Sequence, residues 1–128
     1  MVLATGLPGL VSAQTPNVED ARKISAAASP EARAAARKAF AEAFRELQEN
    51  RVPAAIEHFV RGLALDPANA SARYFYGLAL DGLGDRTAAR AQYELILRLD
   101  PNSEVGNIAR GILLEFDEKV SDTVEGCW

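Results

Sequence analysis

The dipeptide Asp-Pro occurs twice, at Asp66-Pro67 and Asp100-Pro101, with a spacing of 34 residues. The residues leading up to each pair follow one pattern. Counting back, Ala55 lines up with Ala89, Phe59 with Tyr93, Leu63 with Leu97 and Leu65 with Leu99. Farther upstream, Phe40 lines up with Tyr74 and Ala43 with Gly77. A fixed period of this size means that one supersecondary unit buries its apolar face only by stacking on the next, as in a solenoid. Solenoids offer extended surfaces more readily than enclosed reaction sites, so the period turns the functional question towards binding.

The units themselves read as helical hairpins. Asn17 is a candidate N-cap for a short helix over Val18–Ala28. Ser29-Pro30-Glu31 is a strong helix start, with a capping hydroxyl, a proline in the first turn and an acid near the positive helix end. From there Ala36, Ala39, Phe40, Ala43, Phe44 and Leu47 recur at three- and four-residue steps, which predicts one apolar stripe to about Glu49. Asn50-Arg51 is the predicted turn, and Pro53 opens a second helix through Ile56, Phe59, Val60 and Leu63, ending at Asp66. The second unit repeats the plan: a helix over Ser71–Leu83, a turn at Gly84-Asp85, and a helix over Arg86–Leu99. Ser103 and Glu104 then start a last helix through Ile108, Ile112, Leu113 and Phe116. Ile108 and Gly111 stand 34 residues after Tyr74 and Gly77, so this helix reads as the first half of a third unit. The stripe fades after Lys119, and residues 120–128 are expected to form a loosely ordered tail. No stretch alternates at period two, which leaves an all-α fold of about five to six helices.

Small residues at matching points let antiparallel helices approach closely. Ala43 and Ala55 serve this purpose in the first unit, Gly77 and Ala89 in the second. A glycine inside a helix costs about 0.5–1 kcal/mol relative to alanine, so Gly77 calls for a packing reason. Phe59 and Tyr93 are placed to fill the space towards the following helix, and each Asp-Pro stops its helix because proline disfavours helical backbone in the residue before it. On these residues, 36–69 and 70–103 resemble two tetratricopeptide repeats and 104–119 a capping helix. The second unit carries the family signature most fully, at Tyr74, Gly77, Leu80, Gly84, Ala89, Tyr93 and Asp100-Pro101. Departures fall at Arg73 and Ala39, where Trp or Leu is frequent, at Ile96, where Ala is usual, and at Glu42 and Glu46, where the family is usually apolar.

The resemblance implies a right-handed superhelix whose first helices line a concave groove, and a protein or peptide partner held there. By registration, the groove residues would be Arg37, Phe40, Phe44 and Gln48 from the first unit. The second unit would give Tyr74, Leu78 and Asp81, and the last helix Ile108, Ile112 and Glu115. Apolar groups lie in the middle of this set with charges at its rim, which suits a peptide inserting apolar side chains. The competing expectation is that Val18–Ala28 folds back over the groove, which would make Phe40, Phe44 and Tyr74 ordinary core. Family members that grip a C-terminal carboxylate carry Lys, Asn and Arg on these helices; here Phe40, Phe44, Phe75, Val105 and Ala109 stand in those places, so that chemistry is not expected.

The remaining chemistry is sparse. With 14 Lys+Arg against 18 Asp+Glu, evenly interspersed, the chain lacks the basic stripe that nucleic-acid backbones require. One His and one Cys cannot supply the four ligands of a structural zinc site. His58 is the one candidate general base, with Glu57 as its sole nearby acid along the helix and facing elsewhere; Cys127 lies at the C-terminal end and has no nucleophile partner in the sequence. The stretch from Gly77 to Gly82 lacks the Lys and Ser/Thr of a phosphate loop. Asp66, Asp81, Asp85 and Asp100 sit at turns and caps. The chain is therefore expected to be a non-enzymatic interaction module without cofactor or metal.

Residues 1–13 carry no charge, and Val11-Ser12-Ala13 resembles a signal-peptidase site, followed by a polar linker over 14–17. They are read as the remnant of a secretory signal, which would place the protein in the periplasm; an uncleaved leader on a cytoplasmic protein is the other reading. No stretch reaches the roughly 20 apolar residues of a membrane-spanning helix. Two further roles stay open at this stage. One is the helical front portion of an outer-membrane assembly or export protein with a β-barrel. The other is a unit that stacks on a second copy through the open end near Ile112 and Phe116.

Overall fold

A computed structural model describes residues 17–126, with side chains for 17–118. The leader at 1–13, most of the linker, Cys127 and Trp128 lie outside the described residues. Six helices and no strand occur among the described residues: α1 (Val18–Ala27), α2 (Pro30–Gln48), α3 (Val52–Leu65), α4 (Ala70–Gly82), α5 (Arg86–Leu99) and α6 (Glu104–Gly126). Five of the six helix starts carry a side-chain cap, and α3 begins at Val52-Pro53 without one. Asn17 Oδ1 accepts from the Glu19 and Asp20 amides, Ser29 Oγ from Ala32, Asn69 Oδ1 from Ala72, Asp85 Oδ1 from Ala88 and Ser103 Oγ from Gly106. Each such cap stabilises its helix by about 1 kcal/mol. The two intra-hairpin turns are also alike. Asn50 and Gly84 adopt φ of +63° and +89°, and the next amide in each case (Arg51, Asp85) bonds back to the carbonyl five residues earlier (Glu46, Leu80). This left-handed stop is the usual helix ending for Gly and, less often, Asn.

The helices pair as antiparallel hairpins, α2 with α3 and α4 with α5, and α6 packs on α5 and α4. Ala43 and Ala55 are fully buried at the first crossing. Phe59 reaches Tyr76 of the next unit, with ring centroids 6.1 Å apart, and Tyr93 reaches Phe116 at 5.9 Å. One position of the period, held by Phe59 and Tyr93, thus joins each unit to the next helix. The Glu42 and Glu46 departures have a physical explanation in the same register. Their counterparts Tyr76 and Leu80 are buried, Tyr76 against Phe59 of the preceding unit, whereas the first unit has no preceding helix pair there, and polar ends keep such arrays soluble.

Register also predicts opposite outcomes for one substitution. A Cβ on Gly77 would lie 2.7 Å from the Tyr93 ring, while a Cβ on Gly111 meets nothing within 4 Å. Gly77→Ala is expected to lower stability by about 1–2 kcal/mol, overpacking outweighing the gain in helix propensity. Gly111→Ala, 34 residues on, is expected to raise it by about 0.5–1 kcal/mol. Urea unfolding of the two variants checks the sign.

Two elements depart from the expected outline. Helix α6 runs on to Gly126, seven residues past the Lys119 boundary read from the fading stripe. No proline or glycine interrupts 112–125, and extending an existing helix requires only one fixed residue per hydrogen bond. Helix α1, the predicted candidate for covering the groove, lies instead along the two Asp-Pro corners. Ser25 Oγ donates to Asp66 Oδ1 at 2.6 Å and accepts from the Ala68 amide at 2.9 Å. Arg22 Nη2 donates to the carbonyls of Arg98 and Leu99 at 3.0 and 3.3 Å. Ala21 beneath them is fully buried.

Candidate functional site

Helices α2, α4 and α6, the first helices of the successive units, carry the residues that the sequence assigned to a groove. Their side chains fall into rows related by the 34-residue step: Phe40 with Tyr74 and Ile108, Phe44 with Leu78 and Ile112, and Asp81 with Glu115. Leu78 and Ile108 are 38 % and 40 % exposed. Phe44, Tyr74 and Ile112 are half-buried, packed against the core on one side. Phe44 stands edge-on to Phe75 of α4 at 4.9 Å and to Phe59 of α3 at 5.7 Å, and Tyr74 contacts Phe75 at 5.0 Å. These aromatic contacts tie α2 to α4 and hold the rows in place. Arg37, Gln48 and Glu115 are exposed, and half-buried Asp81 faces Arg86 Nε at 3.3 Å.

Phe40 does not belong to the open face. It is 6 % exposed, and its ring fills the space where a side chain at position 62 would stand; a Cβ on Gly62 would come within 2.3 Å of it. The registration placed Phe40 beside Tyr74, but Gly62 replaces the Ile96 of the second unit, and the vacancy draws the phenyl ring inwards. Phe75 was not assigned to the groove, although it links Phe44 to Tyr74; its counterpart in the first unit is Ala41, so the period gave no hint of it.

The polar groups elsewhere are engaged structurally. His58 has more acidic company than its own helix suggested: Nδ1 lies 3.4 Å from Glu42 and Nε2 3.9 Å from Glu46, both across the hairpin on α2. Glu46 is held below the usual carboxylate range chiefly by its hydrogen bond from Arg51, 2.6 Å away, and Arg51 also contacts Glu49. Arg73, at the family's frequent Trp position, is fully buried. Its Nε donates to the Pro67 carbonyl and its Nη1 to Gln92 Oε1, both at 2.8 Å. Burial pulls the guanidinium down to about 10, with Tyr76 and then Asp66 countering part of the shift. Beyond the face, Arg86 and Arg90 lie over the Phe116 ring, 4.3 and 5.7 Å from its centroid, beside a recess of about 220 Å³. Both are already paired, Arg86 with Asp81 and Arg90 with Glu94 and Asp117. Among the described residues no three His, Cys, Asp or Glu groups converge as a metal site would require, and no helix is long and apolar enough to cross a membrane.

Comparison with known proteins agrees with this architecture. No curated protein and no solved structure matches the chain. The family model described as tetratricopeptide repeat matches residues 46–110, which begin at the end of α2 and take in α3, α4, α5 and the start of α6. The match centres on the second unit, where the signature residues are densest, and omits most of α2, including the departure at Glu42. With half of its length matched and its helices paired in the same register, the chain belongs to the tetratricopeptide repeat family.

Proposed function

We propose that this protein is a non-enzymatic interaction module that receives a peptide or a partner's surface on the face made by α2, α4 and α6. Tetratricopeptide repeats are in general protein-interaction modules; the face and its residues are the specific content of the proposal. One observation carries it: Leu78 and Ile108 stay exposed between half-buried Phe44, Tyr74 and Ile112. The result is a contiguous apolar strip with charged groups at its edges, and contiguous exposed apolar surface with a polar rim marks contact sites. The hydrogen bonds of α1 are made to the corners instead, which supports reading this strip as open. Among the described residues the one histidine, His58, faces the carboxylates of Glu42 and Glu46 rather than a nucleophile.

The test uses two exposed leucines. Leu114 is 59 % exposed on α6, two residues from Ile112 and hence on the far side of the helix. Leu78→Asp is expected to reduce capture of any specific partner by at least about tenfold, as truncation of a central interface group does. Leu114→Asp should leave capture unchanged, with both variants showing wild-type helicity by circular dichroism. Equal capture by Leu78→Asp and wild type would remove the face from the reading.

A further inference from the structure

The charges on this face are ordered along one diagonal. Arg37 lies exposed on α2, level by the 34-residue step with the starts of α4 and α6, and Glu115 lies exposed on α6, level with Asp81 near the end of α4. Helices α2, α4 and α6 run in the same direction; α4 and α6 begin level with Arg37 and α2 and α4 end level with Asp81, so these helix ends add positive potential at the first edge and negative potential at the second. Asp81 is partly neutralised by Arg86, which leaves Glu115 as the freer anion. The other diagonal ends at Gln48 and Val105, neither charged. Glu104, beside Val105, is in the first turn of α6, where it complements that helix's own N-terminus. The charged diagonal passes over Tyr74, Leu78 and Ile112, so its ends are opposite in sign and its middle is apolar.

We infer that the face takes an extended segment lying along this diagonal, with an acidic residue over Arg37, apolar residues in the middle and a basic residue over Asp81 and Glu115. The inference rests on the interaction reading above. Ten helical residues of axial offset at 1.5 Å each, and two interhelical spacings of 8–10 Å, give a span of roughly 25 Å. At about 3.3 Å per residue that corresponds to roughly seven or eight extended residues. The ion pairs lie at the rim, where solvent screening keeps each of them weak. They set direction and register, while the apolar middle supplies most of the affinity.

Random dodecapeptides displayed on phage, selected against the immobilised full chain and remade with blocked termini, test this directly. The expected winners carry an acid and a base separated by about five to seven residues, with apolar residues between. Binding of these peptides is expected to fall about two- to fivefold on Arg37→Glu and again on Glu115→Arg, the change that such a rim pair produces. Replacing the peptide's acid with Gln should abolish the Arg37→Glu effect. Winners that lose binding on Leu78→Asp but ignore both charge reversals would overturn the charge order and leave the face standing. No enrichment, or winners indifferent to Leu78→Asp, would overturn the interaction reading and this inference with it.

Discussion

Tyr93→Ala is expected to destabilise the protein by about 3–5 kcal/mol, the usual cost of emptying a large buried aromatic site. Tyr93 is fully buried, fills the notch over Gly77, and meets Tyr74 at 6.5 Å and Phe116 at 5.9 Å. It is therefore the common contact of α4, α5 and α6. A domain of this size has a total stability of only about 5–15 kcal/mol, so the variant should unfold at a far lower urea concentration, and α6 should lose protection from hydrogen exchange first. Its phenol adds a pH signature. Burial, helped by Asp81 and Tyr74, pushes Tyr93 up to about 12, whereas an unfolded tyrosine titrates near 10. Between those values the folded state keeps a proton that the unfolded state has lost, so stability falls as pH rises through that window. Tyr93→Phe should remove that share of the slope while retaining most of the packing.

Arg73→Met is expected to cost about 2–4 kcal/mol. The change removes the donors to the Pro67 carbonyl and Gln92 Oε1, and buried acceptors stripped of a charged donor cost about 1–3 kcal/mol each. The guanidinium has its own desolvation cost, visible in the lowered value of about 10, which offsets part of the loss. A cycle with Gln92→Leu separates the two effects. Where both partners are apolar, much of the deficit should return, because a buried polar pair replaced as a whole is often close to neutral. A double variant as unstable as Arg73→Met alone would mean that the Pro67 carbonyl, at the first corner, is the contact that matters.

The contrast between these residues shows which parts of the molecule a sequence displays. Helix ends were legible because a cap is a local event: Ser29, Asp85 and Ser103 bond amides three residues away, and Asn50 and Gly84 mark the left-handed turns by identity alone. The period carried the pairing of units, since Phe59 and Tyr93 repeat. Contacts that join residues far apart in the chain, or that depend on one missing side chain, were not legible. Phe40 turned inwards because position 62 is glycine, and nothing at position 40 announces that. His58 gained Glu42 and Glu46 from across the hairpin, where helical spacing along α3 could not find them. Arg73 looked like a lapse from the family pattern, yet it holds a corner carbonyl and a glutamine of α5. Of the proposed face, the exposed Leu78, Ile108 and Glu115 were named from register, while Phe75 lacked a repeated counterpart.

An array in which each repeat touches only its neighbours can fray from either end, one repeat at a time. Helix α1 changes that connectivity. Its Ser25 grips the first corner and its Arg22 the carbonyls just before the second, 76 and 77 residues away in sequence. This cross-brace couples the pitch between the two repeats to a segment outside both of them. Pulling α1 away would then let the corners rotate relative to each other, altering the curvature of the opposite face without touching any residue on it.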